Sequence, residues 1–505
     1  MNALATRQSA WLVLVGSLLF QAACSPARAT GPSAKPAPTA VVPVSAGNPD
    51  PEPFRARKPQ PGSPGEFTYP TPKVVKLPSG LSVYLVQRPA RVVAIEFNVR
   101  HGSASDPEGK SGAAALCARM LTEATRRKSA LALSEAVEAL GTNLQASASR
   151  DSSNVALSAL PGDVEAALAL LAEVITEPAF APADFERVRA EWLDGLRAER
   201  QDPQRLAILL ANRWLLGPRH GAPSGGRLGD VQKLTVGDLR AFHRQAYTPD
   251  NSALMLVGNF DENEVMKRVQ ALFGNLRGKD AIAPPPPVPE SPLTQTQIRV
   301  LDRKDAVQSA IAVIQPFPRR SEAGFEARQI LGRLLGGLFT SRLNTRLREE
   351  HAYTYGAAAT PWAAKHSGAL LVYTSVRTDV TAPALTDILG ELDRTRDPKL
   401  GAPVGEEEMQ RAKADLIFSL GASLEHPSRI ADRIGASFID GQAPEYDANY
   451  PALIRALPLP AVQMSGAALS TASRVVIVGD KVQITESLSK LGMPVESVPE
   501  GLLEN

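Results

Sequence analysis

The chain has 505 residues, long enough to bury more than one hydrophobic core, so two large domains are the default expectation. Its formal net charge is +2 and aromatic residues make up only 5%. That gives neither the basic surplus nor the stacking surface of a nucleic-acid binder.

The first 24 residues read as an export signal. Arg7 supplies the positive charge, and the apolar run WLVLVGSLLFQAA (11–23) is too short to span a bilayer comfortably. Cys24 follows Ala22-Ala23 and precedes Ser25, which resembles a bacterial lipoprotein signal with Cys24 as the lipidated residue. Gln21 stands where such signals carry an aliphatic side chain, and ordinary cleavage after Ala27-Arg28-Ala29 is the alternative. Both readings send the protein to the cell envelope, into the periplasm. The first also anchors it to the outer membrane through lipid alone. Residues 25–66, rich in Pro, Ala, Ser and Gly, read as a disordered tether. Cys117 is then the only thiol of the folded part, so no internal disulfide is expected. It reads as a small buried helix residue, not a reactive thiol.

A strand is predicted at 83–86, and another where Val93, Ile95, Phe97 and Val99 alternate. A helix follows from about Ser111. Leu133, Val137 and Leu140 share a face of a second helix, which Gly141 ends. Val155, Leu157 and Ala159 alternate as a strand, and Asp163 is placed to cap the next helix. The run Leu254-Met255-Leu256-Val257-Gly258-Asn259 closes this half. The prolines of 284–287 and Pro292 exclude helix and central strand, so 281–293 reads as a linker between domains at 67–280 and 294–495. The second half repeats the pattern. Strands are predicted at 298–301 and 309–314, a helix at 327–335, a strand at 370–376, a helix at 406–420 and a closing strand Val475-Val476-Ile477-Val478-Gly479-Asp480. The fold class is α+β: two homologous domains, each a mostly antiparallel sheet with helices on one face.

Zinc chemistry needs ligands a helical turn apart. The six histidines (His101, His220, His243, His351, His366 and His426) include no such pair, and Cys24 and Cys117 form no C-x-x-C. Gly109-Lys110-Ser111 lacks the first glycine of a phosphate loop, since Ala104 stands there, and no Gly-x-Ser-x-Gly elbow occurs. Arg126-Arg127-Lys128, at a helix end, reads as a solvated face, not a lipid or nucleic-acid site.

Residues 112–120 read Gly-Ala-Ala-Ala-Leu-Cys-Ala-Arg-Met. Around them the chain resembles the insulinase/pitrilysin (M16) family of zinc peptidases, whose active members carry Gly-Leu-Ala-His-Phe-Leu-Glu-His-Met here. The resemblance extends over Arg100-His101-Gly102-Ser103, Gly141-Thr142-Asn143, Leu335-Gly336-Gly337, Ser341-Arg342-Leu343, Leu347-Arg348-Glu349-Glu350 and Tyr355-Gly356. It implies two domains forming a half-shell. It puts Ala115 and Arg119 where two histidine ligands stand, Ala118 where the catalytic glutamate stands, and the third ligand near Gly195, ahead of Asp202-Pro203. It also implies that Arg348 and Tyr355 match the pair that reaches substrate across the chamber. The expectation is a non-catalytic subunit that binds no metal itself and serves a homologous partner with an intact His-x-x-Glu-His. The partner brings the zinc, and an extended peptide adds to a sheet edge. The alternative is a scaffold or peptide-binding envelope lipoprotein with no part in proteolysis. A weaker third option is an independent zinc peptidase with displaced ligands.

Overall fold

The computed structural model describes residues 66–286, 288, 293–401 and 403–499. The signal peptide, Cys24 and almost all of the tether lie outside the described residues.

Among the described residues, twelve strands build two six-stranded sheets. In the first half they are β1 (Lys73–Lys76), β2 (Ser82–Gln87), β3 (Val93–Val99), β4 (Gln145–Ala148), β5 (Ser153–Ala159) and β6 (Ser252–Gly258). In the second they are β7 (Gln297–Asp302), β8 (Gln308–Pro316), β9 (Ala357–Ala363), β10 (Gly368–Arg377), β11 (Arg474–Gly479) and β12 (Val495–Ser497). The spatial orders are β1-β2-β6-β3-β5-β4 and β12-β7-β11-β8-β10-β9. Dropping β1 and β12, the two orders superpose strand for strand. In each half the closing strand inserts parallel to the opening strand and antiparallel to the second one. This is the internal repeat that the two closing apolar runs announce.

The first-half helices that matter for the site are α1 (Ala113–Leu121), α2 (Ala130–Ala139), α3 (Val164–Thr176), α4 (Pro182–Glu199) and α5 (Pro203–His220). Gly141 takes φ +61° just past α2, the left-handed conformation that a glycine adopts without a Cβ penalty. Asp163 does not cap α3 through its side chain. A short 3-10 turn, Pro161–Asp163, winds directly into the helix instead. Asp202 is a true cap: its carboxylate accepts from the backbone N–H of Gln204 at 2.8 Å and of Arg205 at 3.0 Å, with Pro203 in the first turn. The Asp202-Pro203 marker is thus the start signal of α5, which runs regularly until Gly217 breaks it.

The α+β class with two mostly antiparallel sheets is as expected. Helices, however, lie on both faces of each sheet and not on one alone. Along β3, Val93, Ile95, Phe97 and Val99 pack into the first half's own helical core. The opposite face, including Ala94, Ala253, Met255 and Val257, packs against the helix Pro427–Ile439, which comes from the second half. In return Leu206, Ala207, Leu210 and Ala211 of α5 pack on Ala310, Ala312, Ile314, Ala369 and Leu371 of the second sheet. Each half lends a helix to the other's open face. The physical reason is that β6 and β11 are apolar on both faces, which a sheet tolerates only when both are covered.

Candidate functional site

Helix α1 carries the five-residue window, 115–119, in which the family's motif would lie. Its N-terminus is fixed by Asp106, whose buried carboxyl accepts from the N–H of Gly112 at 2.7 Å and of Ala114 at 2.8 Å. Burial pushes that carboxyl up to about 7. Gly112 itself, at φ +100°, sits backbone against backbone with Gly226, so the loop after α5 is locked to the start of α1. The scaffold of the motif is therefore intact and rigid.

Its chemistry is gone. Ala115, Arg119 and Gly195 border one cavity of about 410 Å³, together with Glu191, Trp192 and Glu199. Ala118 is fully buried and does not reach it. Arg119 forms an ion pair with Glu123, donates to Thr122 Oγ1 at 2.7 Å, and shares Glu123 with Arg187, which pairs in turn with Glu191 at 3.0 Å. A row of alternating charges thus runs between α1 and α4. Zinc requires side-chain lone pairs, whereas two methyl groups, a guanidinium and a glycine offer none. The residues at these four positions do not fit the metal. Among the described residues no three His, Cys, Asp or Glu side chains come together in a metal-binding group. Cys117 is fully buried on α1, and burial pushes its thiol well up, so it is an inert packing residue.

Ser147, Leu196 and Glu199 border both this cavity and a larger one of about 880 Å³. The larger chamber lies between β3, β4, α5, the Trp362 end of β9 and the helix Pro427–Ile439. Arg150 crosses between the halves, its guanidinium stacked 4.3 Å from the Trp362 ring centre and donating to Ala222 O at 2.9 Å. Burial lowers Arg150 to about 10. Glu96 enters from β3, accepting from Asn154 at 3.3 Å and, more weakly, from Asn98 at 3.4 Å. It is buried, and it faces Asp432 of the helix lent by the second half. Burial first, and the Asp432 charge second, push its carboxyl from its ordinary 4.5 up to about 8.

That shift carries a pH prediction. Because the folded-state value is raised, the native chain keeps a proton that the unfolded chain releases between about 4.5 and 8. The stabilisation from Glu96 is full below that window and is lost as pH rises through it. Thermal melts are expected to show the wild type losing stability relative to Glu96→Gln between pH 5 and pH 8.5; parallel profiles would refute the assignment.

Arg348 and Tyr355 lie elsewhere and border neither cavity. Arg348 belongs to the turn Thr345–Glu350, with its guanidinium 3.9 Å from the centre of the Phe339 ring and 3.4 Å from Glu349. Tyr355 precedes β9 and is 94% exposed. What holds the two segments together is a residue that sequence reading missed. Asn344, nearly buried, donates to Ala357 O at 3.0 Å, Leu338 O at 3.1 Å and Ser341 Oγ at 3.1 Å, and accepts from Ala357 N at 2.8 Å. It clamps the turn that carries Arg348 to the start of the strand that follows Tyr355. Its one sequence signal was its place directly after Ser341-Arg342-Leu343.

The comparisons with known proteins agree with this geometry. Residues 82–213 match the family model "Insulinase (Peptidase family M16)", and residues 233–416 match "Peptidase M16 inactive domain". Together they span well over half of the chain. The chain belongs to the M16 family. An uncharacterized zinc protease of Mycobacterium leprae is 27% identical over 365 residues, covering 72% of this chain and 81% of the relative. The zinc protease PqqE of Helicobacter pylori is 24% identical over 380 residues, covering 73% and 84%. Two solved structures share the fold. A peptidase M16 inactive domain from Pseudomonas fluorescens has a TM-score of 0.74 at 21% identity, covering 81% of this chain and 98% of its own. A protease from Helicobacter pylori has a TM-score of 0.75 at 19% identity, covering 81% and 100%. With the zinc-motif positions filled by non-ligands, the match supports a non-catalytic M16 member.

Proposed function

We propose that this chain is the non-catalytic subunit of an insulinase-like heterodimer, lending Arg348 and Tyr355 to a peptide held at the zinc of a homologous partner with an intact His-x-x-Glu-His. The observation that carries this reading is a contrast. The metal position is filled by an ion-paired guanidinium, while Tyr355 extends into solvent and makes no hydrogen bond among the described residues. A tyrosine so exposed adds nothing to its own fold, and guanidinium and phenol donors suit a peptide carbonyl or a developing oxyanion. In this reading the partner's zinc activates water and its glutamate acts as base. Cys24 carries the lipid that holds the pair at the outer membrane, facing the periplasm.

Adding the purified chain to its zinc-bearing homologue is expected to raise peptide hydrolysis, and Arg348→Ala or Tyr355→Phe to remove most of the gain. No rise on addition, or an undiminished rise with both variants, would sink the idea. A scaffold or peptide-binding role is favoured by one observation: Arg348 already has Phe339 and Glu349 as companions. In that case Arg348→Ala leaves both assembly and hydrolysis untouched. Near-stoichiometric zinc in the pure chain would instead favour an independent peptidase.

A further inference from the structure

A third cavity, of about 550 Å³, opens on the first half and shares no residue with the two described above. Four arginines border it: Arg126 before α2, Arg240 and Arg244 of the helix Val236–Ala246, and Arg277. Among the described residues no carboxylate borders it. The acid nearest in sequence, Glu177, is taken by the neighbouring Arg127, and Lys128 is taken by Glu173. The basic run 126–128 therefore divides: two members are neutralised, and Arg126 is left facing the cavity.

Among the described residues none of the four forms an ion pair. Arg240 donates to the carbonyls of Ala179 at 3.3 Å and Phe180 at 3.1 Å, and Arg277 to those of Gly274 and Leu276, both at 3.2 Å. These acceptors are neutral. Arg126 and Arg244 make no side-chain hydrogen bond or ion pair among the described residues. Phe180 is held at φ +45°, a strained angle for a bulky residue, where its carbonyl meets Arg240. The rest of the wall is largely apolar, with Thr176, His243 and Tyr247 as its polar members. Ile175 and Leu276 flank Phe180, which meets the His243 ring edge-on at 5.6 Å, and His243 stacks on Tyr247 at 4.7 Å.

We propose that this arginine-bordered cavity is a binding site for an organic phosphate, its phosphoryl group held by Arg126 and Arg244 and its apolar part against Phe180 and Leu276. A guanidinium presents a planar fork, and a phosphoryl group has three oxygens out of one plane, so it can accept paired N–H donors from more than one arginine. A flat carboxylate uses such a cluster less fully. The volume falls within the range of small-molecule sites, and the mix of apolar wall with a few charged groups is their usual make-up.

The test titrates the full chain with phenyl phosphate, inorganic phosphate and benzoate by calorimetry, and separately sediments it with phosphatidylglycerol vesicles. Phenyl phosphate is expected to bind at least about tenfold more tightly than either control, and the Arg126→Ala/Arg244→Ala double variant to lose at least about tenfold. The ligand-free melting temperature should not change, because neither side chain has a partner to lose. Should the double variant fold poorly, Arg244→Gln alone is expected to weaken binding severalfold. Absence of binding at millimolar phenyl phosphate, or equal binding by the variants, overturns the proposal. Vesicle binding without phenyl phosphate binding also overturns it, in favour of a membrane-facing patch.

Discussion

Replacing Gly336 with alanine is expected to cost several kcal/mol, of the order of the largest single-site effects, and to loosen Arg348 and Tyr355 together. A Cβ at 336 would stand 2.1 Å from Ala359 N and 2.7 Å from Ala358 C. Both are backbone atoms of β9, and a strand paired along its length to β10 has no room to yield. The turn Arg333–Gly337 would have to lift away. Leu334 and Leu335, both buried in the core, would lift with it, and so would the Leu338 carbonyl that Asn344 holds. The Asn344 clamp would then break, and with it the register between the Arg348 turn and the Tyr355 segment. A large fall in melting temperature for Gly336→Ala, beside a smaller one for Gly337→Ala, is the expected result. At Gly337 the nearest obstacle is the flexible Arg333 side chain, at 2.8 Å. Equal, small shifts at both positions would contradict the argument.

Much of the fold was legible because the central strands carry their own local signal. The alternation at 93–99 and the closing apolar runs at 254–257 and 475–478 rest on local chemistry. The exchange of helices was not legible. An amphipathic pattern in 203–216 says that one face is apolar, but it does not say which sheet that face will meet. The burial of Glu96 and Asn98 was not legible for the same reason: the helix lent by the second half packs on their face of the sheet. The positions 115, 118, 119 and 195 were named only by the resemblance to the family's motifs, not by any spacing in the chain itself. The fate of Arg119 could be read only in part: its pairing with Glu123 is an i,i+4 contact within the chain, whereas Arg187 arrives through tertiary packing. The arginines at 126, 240, 244 and 277 follow no linear pattern, since three separate segments bring them to one cavity.

The exchange of helices makes the second large effect. Leu210→Asp is expected to unfold the chain or to separate its halves. Leu210 is 2% exposed, in the middle of the α5 face that covers Ala310, Ala312 and Ile314. Truncation alone, in Leu210→Ala, should cost about 2–5 kcal/mol. A carboxylate there adds the burial of a charge without a partner, which neighbouring alanines and isoleucine cannot offset. The distinctive outcome concerns where the damage appears. A first-half mutation should expose the second half's sheet, so protection from hydrogen exchange should fall at β8 and β11 before it falls at β3 and β5 of the first half. If the first sheet lost protection first, α5 would be a local element and not the brace between halves. The same reasoning bears on the chamber. Its walls include both α5 and the reciprocal helix, so Glu96, Asp432 and Trp362 keep their mutual positions only while both lent helices stay docked.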